Sequence, residues 1–185
     1  MFYTRKGDQG TTKIINSPER ILKCSSVIEA LGSVDELNSF LGFCKAKSGN
    51  LNLEINNENL SLSDLVHEAQ ENLFIIQAEL AGADKKIFPD KIKRLEYLVD
   101  GAEKQIPPVN SFFISGGTEL SALFDISRTL ARKAERRVVA AIKESKVKVS
   151  PETISYLNRL SSLLYAIVRS VNNQSNIAEK KPSYN

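Results

Sequence analysis

Residues 128–137 read Arg128-Thr-Leu-Ala-Arg132-Lys-Ala-Glu135-Arg136-Arg137, five positive charges and one negative in ten residues. The apolar neighbours Leu120, Ala131, Ala134, Val138 and Ala141 recur at the spacing that lines one face of an α-helix. At about 100° per residue, Arg132, Glu135 and Arg136 fall about +40°, −20° and +80° from Arg128, while Lys133 and Arg137 point about 140° and 180° away. Four charged groups therefore share one sector, and that sector borders the apolar stripe. Such a border is where a helix meets a cleft or a neighbouring subunit.

The net charge of this stretch, +4, exceeds the +3 of the whole chain, so an anionic partner is expected. A solvated face with weak salt bridges is the bland reading of the same residues. The embedded Glu135 favours a cluster of fixed geometry. A nucleic-acid stripe would recur over several elements with interleaved aromatics, whereas the other helices are balanced or acidic.

Outward from this helix, which is expected over about 118–145, the pattern stays helical. On its N-terminal side Val109-Asn-Ser-Phe112-Phe113-Ile-Ser-Gly116-Gly117-Thr118 is an apolar connector ending in a double-glycine turn. On its C-terminal side Ser150-Pro151 is an N-cap followed by a first-turn proline; the helix it opens runs through Leu157, Leu160, Leu164, Val168 and Val171. Earlier, Val27, Leu31, Val34, Asn38 and Leu41 predict a helix over about 26–48, stopped by Gly49. Ser61-x-x-Asp64 resembles a capping box for a helix that continues to Gly82. A shorter helix follows Pro89 and ends before Pro107-Pro108. The Asn-rich stretch 50–59 reads as a polar, mobile linker, residues 1–24 as an irregular arm broken by Gly7, Gly10 and Pro18, and 175–185 as a frayed, flexible tail. The expected fold is all-α: one domain over 1–185, a five-helix bundle over 25–174 of four main helices plus one shorter.

With 185 residues, 42 % hydrophobic and 25 % charged, the chain can bury a sizeable core as a single domain. Cys24 and Cys44 make no disulfide framework, and no stretch approaches the roughly 18 apolar residues of a membrane span. The N-terminus lacks the apolar core of a signal peptide, so a cytoplasmic location away from any membrane is expected.

The single histidine, His67, excludes much chemistry. Asp64-x-x-His67-Glu68-x-x-Glu71 resembles half of a di-metal helix site, but the second Glu-x-x-His that such a site needs is absent. A solvent-facing polar helix side is the better account, and a Ser-His-Asp or Cys-His catalyst is disfavoured. The arm Tyr3-Thr-Arg-Lys-Gly-Asp-Gln-Gly-Thr-Thr12 combines glycines, hydroxyls and cations as a polyphosphate cradle requires. It is not a Walker A loop, and a plain flexible terminus would look similar. Asn158, Ser162, Tyr165 and Arg169 share one edge of the last helix. Asp35, preceded by Gly32, borders the apolar side of the first; a carboxylate there can partner a cluster arginine in a charge-assisted bond contributing roughly 1.5–3 kcal/mol.

Five segments in order, Tyr3 to Thr12, Gly32-Ser-Val-Asp35-Glu-Leu-Asn-Ser39, Phe112 to Thr118, Arg128-Thr to Arg136 and Asn158-Arg-Leu-Ser161, resemble the PduO-type ATP:cob(I)alamin adenosyltransferases. The resemblance implies a homotrimer of five-helix bundles with active sites between subunits. It implies that Thr4, Arg5, Lys6, Gly7, Asp8, Gly10, Thr11 and Thr12 wrap the ATP phosphates with Lys23. Arg132, Lys133, Glu135, Arg136 and Asn158 would complete the nucleotide site. Asp35 and Arg128 match an ion pair across the subunit boundary, and Phe112 matches the aromatic at the lower face of the corrin.

In this chemistry cob(I)alamin is itself the nucleophile, so no general base is needed. The protein would align the reactants and stabilise the departing triphosphate, with Mg²⁺ held by the phosphates rather than by protein side chains. A reductase and a cobalamin-dependent acceptor enzyme are implied partners. Ser115, Ser162 and Ser170 depart from the family pattern. A non-catalytic nucleotide or cobalamin carrier and a helical module docking an acidic partner are the alternatives.

Overall fold

The computed structural model describes residues 3–15, 18–145 and 147–184; the ends of the expected 1–185 domain and residues 16, 17 and 146 of the expected arm and loop lie outside them. Five helices form: α1 (Ser26–Ser48), α2 (Leu62–Leu80), α3 (Pro89–Glu103), α4 (Glu119–Ser145) and α5 (Pro151–Gln174). The main helices pack in the order α2, α1, α4, α5, with α3 lying against α5. Their apolar stripes meet in one core, in which Val34, Leu37 and Leu41 of α1, Leu73 and Ile76 of α2, Phe124 and Val138 of α4, and Leu157 and Leu160 of α5 are buried. The expected architecture of four main helices and one shorter one is the one observed. No helix among the described residues is long and apolar enough to cross a membrane.

The helix ends show how the chain is punctuated. Ser61 Oγ accepts from the Asp64 N–H at 3.2 Å and caps α2. Thr118 and Ser121 close a reciprocal box at the start of α4, each hydroxyl accepting the other's backbone N–H at 3.0 and 2.9 Å. At the start of α5, Ser150 is the N-cap and Pro151 follows it, but Ser150 makes no side-chain cap. Instead the Glu79 carboxylate of α2 accepts from the Ser150 N–H at 2.7 Å and from the Thr153 hydroxyl. A buried anion at a helix N-terminus satisfies free N–H groups and complements the helix dipole. On the α2–α5 contact, buried Asn72 donates to the hydroxyl of fully buried Tyr156 at 3.1 Å.

Stretch 50–59 is not a mobile linker. It contains the first arm and turn of an antiparallel hairpin, β3 (Asn52–Ile55) with β4 (Glu58–Ser61), in register Ile55↔Glu58 to Asn52↔Ser61. Leu53 and Ile55 alternate inward and are 1 % exposed, while Asn56 and Asn57 take the positive φ, 52° and 63°, of a tight two-residue turn. Asn56 Nδ2 donates to the Tyr97 carbonyl at 3.0 Å, and the Tyr97 hydroxyl donates to Glu58 at 2.8 Å, so the hairpin is fastened to α3. In the arm, two-residue strands β1 (Thr11–Thr12) and β2 (Ile21–Leu22) pair antiparallel. The segment after α5, expected to fray, returns to the bundle: Glu179 pairs with Arg169, and the Ile114 N–H donates to the Lys180 carbonyl at 2.8 Å.

Candidate functional site

A cleft of about 570 Å³ opens between α4, α5 and the loop that precedes α4. Arg128 and Arg132 of α4, Ser161, Ser162 and Tyr165 of α5, and Val109, Ser111, Phe112 and Phe113 of the loop line it. A second cleft of about 270 Å³ adjoins it along α4 and is lined by Arg132, Glu135, Arg136, Val139 and Asn158. Arg132 belongs to both. The sector read from the helix period is therefore present as a continuous surface, one end apolar and the other cationic.

Each side chain is held differently. Arg128 Nε donates to Asp125 Oδ1 at 2.6 Å, and its guanidinium sits 5.9 Å from the Tyr165 ring centroid. Asp125 is buried and three residues before Arg128, which fixes the arginine from its own helix. Glu135 Oε1 accepts from Asn158 Nδ2 at 3.1 Å, and Asn158 Oδ1 accepts from Arg159 at 2.7 Å. Arg159 in turn donates to Glu96 of α3 at 3.0 Å. Arg132 and Arg136 are exposed and carry no hydrogen bond or ion pair among the described residues. The cationic end thus offers two uncommitted guanidinium groups beside a braced carboxylate and amide. An anion arriving there meets donors that need not first break a protein contact.

Phe112 is 81 % exposed at the mouth of the larger cleft, so its ring is open to whatever occupies that cleft. Lys133 does not face either cleft. It donates to Glu36 of α1 at 2.6 Å, and Arg137 lies 4.0 Å from Glu29, so the members of the charged stretch that the helix period sends elsewhere pair with α1.

The arm is closed by a residue the sequence reading passed over. Arg20 donates to the Lys6 carbonyl at 2.5 Å and to the carbonyl and hydroxyl of Thr11 at 2.8 and 2.9 Å. Arg5 and Gly10 adopt positive φ, and the Gly10 and Lys23 carbonyl and N–H groups pair at 2.9 Å, bending Thr4, Arg5, Lys6, Gly7, Asp8, Gly10, Thr11 and Thr12 into one loop. Lys23 lies over it: a Cβ on Gly7 would sit 3.1 Å from the Lys23 ammonium. Nothing in the local pattern announces Arg20, because its partners, two backbone carbonyls and the Thr11 hydroxyl, lie nine and fourteen residues earlier in the arm. Asp125 was passed over as well, although its three-residue spacing to Arg128 on one helix is a signal that could have found it.

Asp35 stands on a different face. It lines a groove between α1 and α2 with Gly32, Phe74, Gln77 and Ile15 of the arm, and accepts from Gln77 at 3.3 Å. Within one chain Asp35 and Arg128 do not pair, and neither cleft on α4 is lined by arm residues. Burial raises the pKa of Cys44, whose thiol contacts the Ser127 hydroxyl at 3.3 Å, and pushes that of Tyr156 up as well; neither group lies at the clefts. His67 is exposed on α2, and among the described residues no three or more His, Cys, Asp or Glu side chains are grouped to hold a metal ion.

Comparison with known proteins gives this surface a family. A family model described as cobalamin adenosyltransferase matches residues 2–171. The chain is 35 % identical to a corrinoid adenosyltransferase PduO of Citrobacter freundii, with 96 % of this chain and 52 % of that one aligned. It is 34 % identical to a corrinoid adenosyltransferase of Bacillus subtilis, covering 96 % of this chain and 89 % of the relative. The chain therefore spans about half the length of the PduO relatives it matches and most of the shorter ones. Among solved structures, a variant PduO-type ATP:corrinoid adenosyltransferase from Lactobacillus reuteri complexed with cobalamin and ATP superposes with a TM-score of 0.86 at 28 % identity, over 99 % of this chain and 97 % of that one. Another variant of that enzyme, complexed with ATP, gives 0.85 at 28 % identity, over 98 % and 99 %. By its helices, its order of motifs and these matches along nearly its whole length, the chain belongs to the cobalamin adenosyltransferase family.

Proposed function

We propose that this protein transfers the 5′-deoxyadenosyl group of ATP to the cobalt of cob(I)alamin, yielding adenosylcobalamin and triphosphate. The observation that carries the reading is the joined pair of clefts, apolar beneath Phe112 and cationic around Arg132 and Arg136. The cobalt electron pair attacks the 5′ carbon, the C5′–O bond breaks, and the triphosphate leaves with that bond's electrons. No proton is moved, so the site needs no general base. Its work is to bring cobalt and carbon into line and to offset the charge gathering on the leaving group.

In this reading Arg132, Arg136, Glu135 and Asn158 bind the nucleotide, together with Lys23 and the Thr4 to Thr12 loop. Lys133, turned towards Glu36, takes at most a peripheral place. Mg²⁺ arrives with the phosphates. Phe112 covers the lower face of the corrin, so that no nitrogenous ligand reaches cobalt there and Co(II) is easier to reduce. Asp35 and Ile15, at the end of the arm, line a groove between α1 and α2 while the clefts lie on α4 and α5, which supports a site completed by a neighbouring subunit, with Asp35 of one chain meeting Arg128 of the next in a homotrimer. A cytoplasmic location, a reductase that supplies the electron and an acceptor enzyme that takes the product complete the proposal.

Mixing the protein anaerobically with ATP, Mg²⁺ and chemically reduced cobalamin tests it. The visible spectrum should convert to that of adenosylcobalamin with one triphosphate released per turnover; an unchanged spectrum sinks the reading. Cobalamin capture without triphosphate release would mark a carrier instead.

A further inference from the structure

The loop that presents Phe112 has no regular secondary structure, and its exposed ring gives it no anchor of its own. The anchors lie at the far end of the chain. Arg169 of α5, 4 % exposed, pairs through Nε with Glu179, donates from Nη2 to the Pro107 carbonyl at 3.1 Å, and lies 4.8 Å from the Phe113 ring centroid. Asn172, less than one turn further, donates to the Gly116 carbonyl at 3.2 Å and to Glu179 Oε1 at 3.3 Å. Gly117, at φ +127°, presses against it so closely that a Cβ would fall 2.2 Å from Asn172 Oδ1. The Ile114 N–H reaches the Lys180 carbonyl at 2.8 Å, and the Ile177 N–H reaches the Asn172 carbonyl at 2.9 Å. Both flanks of Phe112 are thus tied to α5 and to residues 177–180.

Glu179 is the common member. A buried guanidinium without its anion is strongly unfavourable, and Arg169 has little else to hold it: Nη1 has no hydrogen-bond partner among the described residues, and Nε meets Glu179 as an ion pair without hydrogen-bond geometry. Removing the Glu179 charge leaves two responses: water enters the adjoining cavity of about 350 Å³ that Arg169 and Glu179 both line, or the guanidinium swings away from Phe113 and Pro107. Either response loosens the loop, leaving it the Asn172–Gly116 and Ile114–Lys180 bonds. Arg132 and Arg136, on α4, depend on none of these bonds.

We propose that Glu179 is a positioning residue: through Arg169 and Asn172, the C-terminal segment 177–180 straps down the loop and holds Phe112 at the mouth of the cleft. The inference rests on the transferase reading insofar as Phe112 serves the corrin. It assigns the strap to the step that requires a covered lower face, the reduction of Co(II) in place, and not to capture of ATP.

The experiment compares full-length wild type with Glu179→Gln and with the charge-keeping Glu179→Asp. Two rates and one constant are read: transfer from pre-reduced cob(I)alamin, transfer from cob(II)alamin with a reductant, and the KM for ATP. The electron paramagnetic resonance of bound cob(II)alamin reports whether a lower nitrogen ligand is attached. Glu179→Gln should slow the cob(II)alamin route about tenfold and bring back the nitrogen-split spectrum, with KM for ATP within about twofold of wild type. Glu179→Asp should recover much of the loss. Wild-type rates and spectrum in Glu179→Gln overturn the strap, as does an equal fall in both rates with a raised KM for ATP, which would signal general structural damage.

Amide hydrogen exchange of residues 109–117 without ligand separates this inference from the transferase reading. Exchange there should quicken about tenfold in Glu179→Gln, or by a smaller factor in Glu179→Asp if the first variant does not fold. Unchanged exchange overturns the strap whatever cobalamin does; failure of wild type to convert cobalamin, with quickened exchange, overturns the transferase reading alone.

Discussion

Arg132 stands where the apolar and cationic clefts join, and its guanidinium is uncommitted among the described residues. Arg128, four residues earlier, is already paired with Asp125. The two arginines should therefore differ in what their loss does. Arg132→Ala removes a charge-assisted contact contributing roughly 1.5–3 kcal/mol, so KM for ATP should rise about 10- to 100-fold with the melting temperature unchanged; steady-state kinetics at varied ATP reads this directly. The cysteines give a second contrast. Burial pushes the Cys44 thiol up in pKa while Cys24 is exposed, and the thiolate is the reactive form. A chromogenic disulfide should label one thiol per native chain at neutral pH and two after denaturation. At this scale the helix period revealed which charges share a face, including the outward turn of Lys133 and Arg137. It did not reveal Arg20, whose partners are two carbonyls and a threonine hydroxyl outside any helical period.

α5 begins on a carboxylate borrowed from α2. Glu79 accepts from the Ser150 N–H and the Thr153 hydroxyl in a site only 9 % exposed, so its loss strands one buried donor, Thr153, and one half-buried donor, the Ser150 N–H. Glu79→Ala should cost about 2 kcal/mol and lower the melting temperature by about 4–8 °C, measured by circular dichroism, while Ser150→Ala should cost much less because Ser150 makes no side-chain cap. The five helices were legible because each carries a long apolar stripe with recognisable ends. What escaped was non-local or chemically disguised. The hairpin after α1 hides Leu53 and Ile55 among asparagines, and its turn is Asn56-Asn57 rather than the commoner Asn-Gly. The return of the tail depends on Arg169 meeting Glu179 and on backbone bonds to the loop before α4. The folding of α5 onto Glu79 likewise rests on a partner 71 residues before Ser150. Periodicity reports which face of a helix is buried and is silent about such partners.

Across the whole molecule the candidate groups fall on two faces, with Asp35 and Ile15 of the arm along α1 and α2 and the clefts on α4 and α5. If neighbouring chains complete each other's sites, Asp35→Ala and Arg132→Ala subunits should each be poor catalysts alone yet regain activity when unfolded together and reassembled. A site contained in one chain would show no regain in the same turnover assay. Both faces also leave large apolar groups in water: Phe74 and Ile15, 60 % and 56 % exposed on the first, and Phe112 and Ile114, 81 % and 59 % on the second. Hydration of such groups carries heat capacity. Assembly of chains and arrival of a flat ligand should then appear in calorimetry as two separate negative heat-capacity changes, the first scaling with protein concentration and the second with ligand alone.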